Sequence, residues 1–171
     1  MIKFFDIFKH EKMSRANTKT NTKLYPNIIS EDIATETYIF LKNNVRWHKG
    51  VYSKKGATRL SCSADWDGEI GVKLMPLIIT ALNCCNLKLE KLTFCYLNYY
   101  RDGNDWTPSH SHKDTIQVII SLGATRELVV GKKSYNMSNG DVAIFGASMH
   151  SITKNSECTR GRISIALFLD K

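Results

Sequence analysis

What this chain lacks narrows it first. No apolar run approaches the roughly 20 residues that cross a bilayer, so no membrane span is expected. The opening MIKFFDIFKHEK carries Asp6, Lys9 and Glu11 and has no small-residue cleavage site, so no secretory signal is read there. The five cysteines, Cys62, Cys84, Cys85, Cys95 and Cys158, are odd in number, and none are spaced as CxxC. That argues against both a disulfide framework and a zinc knuckle. Free thiols in a reducing compartment follow, and with them an intracellular place, cytoplasmic or nuclear. Acids are scarce, 16 against 24 Lys and Arg, for a formal net charge of +8. This balance favours polyanionic partners such as nucleic acid, although many basic proteins bind none. No internal repeat is visible.

The chain has 171 residues, 43% of them hydrophobic, which is enough for one domain with a real core. Residues 1–24 hold Lys3, Lys9, Lys12, Arg15, Lys19 and Lys23 against only Asp6 and Glu11. From 14 to 23 there is no apolar period, so 1–24 is expected to be a basic, mobile arm, free to track a phosphate backbone or simply solvated. Residues 25–171 are expected to form a single domain, as a monomer. Ser30 as N-cap and Glu31 and Asp32 in the first turn predict a helix over 31–43, with Ile33, Thr37, Phe40 and Leu41 as its apolar face. A second helix is predicted over 72–85, with Pro76 in its first turns and Leu74, Leu77, Ile78 and Leu82 as its stripe. Beyond Lys91 the period becomes two. Strands are predicted over 92–101, 115–122, 127–130, 141–145, 150–153 and 162–169, separated by Gly- and Asn-containing turns. Helices first and strands after imply an α+β layout whose strands roll into a barrel or sandwich.

Chemistry-bearing residues concentrate in Tyr100-Arg-Asp-Gly-Asn-Asp-Trp-Thr-Pro-Ser-His110-Ser-His112-Lys-Asp114. On an extended edge, His110 and His112 point to one face. His150 opens a distant strand. Two ligands on one strand and a third on another can build a metal site with open positions, as the His–carboxylate–His face of non-haem Fe(II) oxygenases does. The residues alone leave a second possibility open: two surface histidines in a loop.

Several segments, in order, resemble the AlkB family of nucleic-acid dealkylases across about residues 24–169. Asn98-Tyr99-Tyr100-Arg101-Asp102-Gly103 resembles the family's N-x-Y-x-x-G strand and turn. His110-Ser111-His112-Lys113-Asp114 sits where the family has H-x-D and a second acid. Ser121-Leu122-Gly123-Ala124-Thr125-Arg126 is close to its SLGATR hairpin, and Asn139-Gly140-Asp141-Val142 to its x-G-D turn. His150 precedes Arg162 by 12 residues, as the distal iron His precedes the cosubstrate Arg in several members. The resemblance implies a double-stranded β-helix (jelly-roll) core with N-terminal helices packed on one side. It implies Fe(II) held by His110, His112 and His150. It implies 2-oxoglutarate held by Arg162, Asn98 and Tyr100, with Ser164 at the place of a family Asn. Arg59, Trp66 and Asp114 would help read the substrate base, and Lys54, Lys55, Arg101, Lys113, Lys132 and Lys133 would line a basic rim.

Two departures stand out. His112 replaces the carboxylate iron ligand, unless a two-residue slip makes His112-Lys113-Asp114 the H-x-D. Phe168 replaces the family's second Arg. The activity the resemblance implies is oxidative demethylation of alkylated nucleobases in DNA or RNA. The departures keep two others open: a same-fold oxygenase acting on protein or a small molecule, and a degenerate module that binds without turnover.

Overall fold

The computed structural model describes residues 21–50, 52–63 and 68–171. Trp66 and residues 1–20 of the expected arm lie outside the described residues. The last arm residues do not: Lys23 and Leu24 belong to strand β1 (Lys23–Tyr25), paired antiparallel with β9 (Val142–Phe145).

Helix α1 spans Glu31–Asn44 and α2 spans Glu69–Cys84. In α1 the buried face is Ala34, Thr37 and Leu41, while Ile33 is half exposed, so the expected stripe turns by one position. In α2 all four expected positions, Leu74, Leu77, Ile78 and Leu82, are buried. The helix starts three residues earlier than the pattern suggested, so Pro76 lies inside it rather than in its first turns. Pro76 cannot donate to the Val72 carbonyl. Val72 is strongly exposed, which lets water satisfy that group.

The remaining strands are β2 (His48–Lys49), β3 (Leu60–Ser63), β4 (Leu92–Tyr100), β5 (Thr107–His110), β6 (Thr115–Gly123), β7 (Arg126–Val130), β8 (Lys133–Met137), β10 (His150–Ile152) and β11 (Arg162–Asp170). They form a seven-stranded sheet, β1-β9-β6-β11-β4-β3-β2, and a four-stranded sheet, β5-β10-β7-β8. All pairings are antiparallel. From β4 onward the chain passes back and forth between the two sheets, contributing four strands to each. Two antiparallel ribbons wound in this way are a double-stranded β-helix, as expected.

Period two then assigns the faces. On the large sheet, Leu97, Tyr99, Val118, Ile120, Leu122, Ile163, Ile165 and Leu167 turn outward and are covered by α1 and α2. Each such side chain taken from water contributes about 1.5–3 kcal/mol, so this layer fixes the strand register. The opposite faces of the same strands point between the sheets. There Asn98, Tyr100, Gln117, Arg162 and Ser164 replace the aliphatic residues. A purely apolar barrel interior would not need them.

Candidate metal and carboxylate site

The three candidate ligands converge. β5 and β10 pair so that His110 stands directly opposite His150, and His112 follows two residues past the end of β5. One ring nitrogen from each lies within 4.8 Å of the others. His110 Nδ1 is 2.8 Å from the Pro108 carbonyl, and His150 Nδ1 is 3.0 Å from the Ser148 carbonyl. A carbonyl can only accept, so both Nδ1 atoms carry the proton and leave Nε2 bare. Burial lowers the pKa of all three rings. His150 falls to about 4, with neighbouring His110, His112 and Arg59 adding to the effect. The rings are therefore neutral at neutral pH, the state that binds a metal.

Asp114 stands elsewhere. Its backbone takes φ 63, which ends the alternation that would have kept it on the histidine side. Its carboxylate is 92% exposed and lies 3.7 Å from Lys171 Nζ. It is neither in the histidine cluster nor on the cavity wall, so the H-x-D slip finds no support in the geometry.

The histidines open on a cavity of about 200 Å³ between the sheets. Its wall includes every residue expected at the cosubstrate: Asn98, Tyr100, Arg162 and Ser164. Arg162, at the start of β11, is fully buried. Its Nε donates to Ser121 Oγ at 2.9 Å, and its Cζ lies 5.5 Å from the centre of the Tyr100 ring. Both terminal nitrogens are buried without a partner. Burial pushes its pKa down to about 10, with Arg126 adding to the push and Tyr100 opposing it. A guanidinium this desolvated lacks the anion that ordinarily accompanies it. Asn98 contacts Ser164 Oγ at 3.4 Å through Nδ2, and its Oδ1 is buried and unpartnered. Exchanging the two amide atoms lets Ser164 donate to the oxygen and frees the NH₂ for a ligand.

Arg59 also lines the cavity, and Trp66 lies outside the described residues. Sequence reasoning missed Thr107, Tyr52 and Ser121. Thr107 Oγ1 accepts from Arg59 Nε at 2.7 Å and meets the Tyr100 hydroxyl at 2.8 Å. Tyr52 lies in a short 3-10 turn region and sets its ring 4.8 Å from that of His110. Alternation from His110 would have put Pro108 inside; the irregular β5–β10 register, two residues on β10 against three on β5, turns Thr107 inward instead, which no periodic pattern in the sequence signals. Phe168, Phe94 and Tyr96 form an aromatic wall, with Phe168 4.9 Å from the His112 ring.

No protein-family model matches the sequence, and neither does any curated protein. Solved structures do match. A prolyl-4-hydroxylase of Pseudomonas putida superposes with a TM-score of 0.62 at 11% identity, over 88% of this chain and 92% of that one. A prolyl hydroxylase from Trichoplax adhaerens, solved with a hypoxia inducible factor degradation-domain peptide, gives 0.63 at 13% identity, over 87% and 83%. The non-heme alpha ketoglutarate dependent epimerase SnoN from nogalamycin biosynthesis gives 0.64 at 11%, over 87% and 77%. The shared property is the fold. Among the described residues no helix is long and apolar enough to cross a membrane, and the five cysteines form no disulfide.

Proposed function

We propose that this chain is an iron- and 2-oxoglutarate-dependent oxygenase whose metal is held by three neutral histidines. One observation carries the proposal: Arg162, fully buried with both terminal nitrogens unpartnered, opens on the same cavity as His110, His112 and His150. The residues fit the group that SnoN is named for. The histidines offer three Nε2 atoms and leave other positions of a metal open. Arg162 offers two parallel N–H donors to a carboxylate. Tyr100 and Asn98 stand beside it with further donors. When bound, iron would supply the activation of dioxygen, the oxidant, one oxygen atom going to the substrate and the other to the 2-oxo acid as it loses CO2 and becomes succinate. The chain holds the acid, orients it, and keeps water out with Ile119, Leu128, Phe145 and Ile152.

As substrate class we propose alkylated nucleobases in DNA or RNA. The ordered AlkB-like motifs and the +8 charge support this. So does the wall of Phe94, Tyr96 and Phe168, because a base taken out of its stack is held by aromatic faces. Phe94 is 45% exposed although it lines the cavity, which leaves its face free for such contact.

The test is binding first and turnover second. 2-Oxoglutarate should bind the metal-loaded protein, and Arg162→Ala should weaken it on the order of 30-fold or more. Succinate and formaldehyde should then appear together with N-methylated oligonucleotides. Succinate without formaldehyde on every oligonucleotide would move the substrate to a peptide or small molecule. No 2-oxoglutarate binding at all would overturn the oxygenase. For the metal, His110→Ala and His150→Ala should lose it, while Asp114→Ala and His112→Asp keep it. Metal loss confined to Asp114→Ala would reverse the ligand assignment.

A further inference from the structure

We infer that Arg59 is the second carboxylate anchor of the site, taking the metal-side carboxylate of the 2-oxo acid, an anchor that Phe168 cannot supply; this rests on the 2-oxoglutarate reading above. The resemblance put Arg59 at the substrate base. Its surroundings point deeper. Arg59 immediately precedes β3, is only 5% exposed and lines the cavity. Its Nε is fixed on Thr107 Oγ1 at 2.7 Å, while Nη1 is buried with no partner. Among the described residues no carboxylate pairs with it. Its Cζ lies 5.6 Å from the Tyr52 ring, which in turn lies 4.8 Å from His110, so Arg59 belongs to the histidine end of the cavity.

Tyr100 relates the two arginines. Arg162 lies over its ring, and Arg59 reaches its hydroxyl through Thr107. Among the residues of the cavity wall, two buried guanidiniums thus flank one phenol, one for each end of an elongated dicarboxylate. Thr107 accepts from Arg59, so its own hydroxyl hydrogen is free to go to the Tyr100 oxygen. The phenol hydrogen then points to a ligand.

Charge leads to the same place. The cavity wall contains no Asp or Glu. With His112 in place of a carboxylate, a divalent metal and two guanidiniums share a site with no negative charge of its own. A buried charge without a partner is costly, so the bound acid must supply both carboxylates where the cations are. Arg59 is also held from behind. The Gly50 N–H donates to the Arg59 carbonyl at 3.1 Å, and a Cβ on Gly50 would stand 3.3 Å from Nη1.

The test uses Mn(II)-loaded full-length protein, calorimetry, and two ligands. 2-Oxopentanoate keeps the metal-side 2-oxo acid and lacks the distal carboxylate; 2-oxoglutarate has both. Arg59→Gln should weaken both ligands on the order of 30-fold. Arg162→Gln should weaken 2-oxoglutarate alike and leave 2-oxopentanoate as in the wild type. Arg59→Lys should recover part of the loss. Unchanged 2-oxopentanoate binding in Arg59→Gln overturns the inference while Arg162 and the oxygenase reading stand. Where 2-oxopentanoate, lacking the Arg162 contact, binds too weakly for direct calorimetry, its competition against 2-oxoglutarate gives the same comparison, and equal competition in wild type and Arg59→Gln overturns the inference. Failure of the wild type to take 2-oxoglutarate sinks both. Should Arg59→Gln not fold, Thr107→Val carries the test: it frees Nε without removing the charge, several-fold weakening of 2-oxopentanoate is expected, and no change overturns the inference.

Discussion

Among the described residues, Arg126 and Arg162 are the two largest fully buried side chains, 2% and 0% exposed, and both lie over the Tyr100 ring. Arg162 lines the cavity and Arg126 does not. Arg126 donates to the carbonyls of Asp102 and Asp105 at 2.8 Å and Thr153 at 2.7 Å, with Gly103 further off, and only its Nε is unpartnered. It ties the turn after β4 to the end of β10. Arg162 has one fixed partner and two unmet nitrogens. Burial alone does not separate these two arginines. The number of donors left unmet does.

The strongest way to break that contrast is to remove each arginine and measure stability. Arg126→Ala leaves several buried carbonyls without donors and should cost about 3–5 kcal/mol in urea denaturation. Arg162→Ala removes an uncompensated charge and should change the stability of the ligand-free protein by about 1 kcal/mol or less. Equal losses would erase the distinction.

Acid sharpens it on the histidine side. In the metal-free protein His150 is held at about 4, below its usual 6.5, by burial first. The unfolded chain then binds more protons between those values. Stability is full above 6.5 and falls as pH drops towards 4, by roughly 3 kcal/mol from this group. Thermal melts across pH 4–7 should show the decline in the metal-free wild type and a shallower one in His150→Gln. The smallest effect concerns the single fixed partner of Arg162. Ser121→Ala removes one hydrogen bond of about 1 kcal/mol and should weaken 2-oxoglutarate roughly fivefold. No change in calorimetry would mean that Ser121 does not position the guanidinium.

Much of this was legible in the sequence where alternation is strong. The inward positions of β4, β6 and β11 can be read from period two, and the histidines from their spacing and family order. What escaped notice was weakly patterned. β8 reads Lys-Ser-Tyr-Asn-Met with only Met137 buried, an edge strand with no apolar alternation. β1 and β3 are three and four residues long and take their pairing from β9 and β4. Asp114, expected at the substrate base, stands off the cavity wall because its positive φ, in the turn before β6, breaks the alternation, and no periodic rule foresees it. Thr107 and Arg59 meet across 48 positions of chain, a contact that only the folded sheets create.

The direct opposition of His110 and His150 has a mechanical side. β5 is an outer strand of the small sheet, pairs among the described residues only with β10, and holds Pro108, which has no N–H to give. A metal held by the two histidines would act as a clasp on this edge, linking residues 110 and 150. Peeling of β5 would then favour release of the ion. Metal binding would add to the free energy that keeps this edge shut, and amide exchange along β5 should slow when metal is supplied.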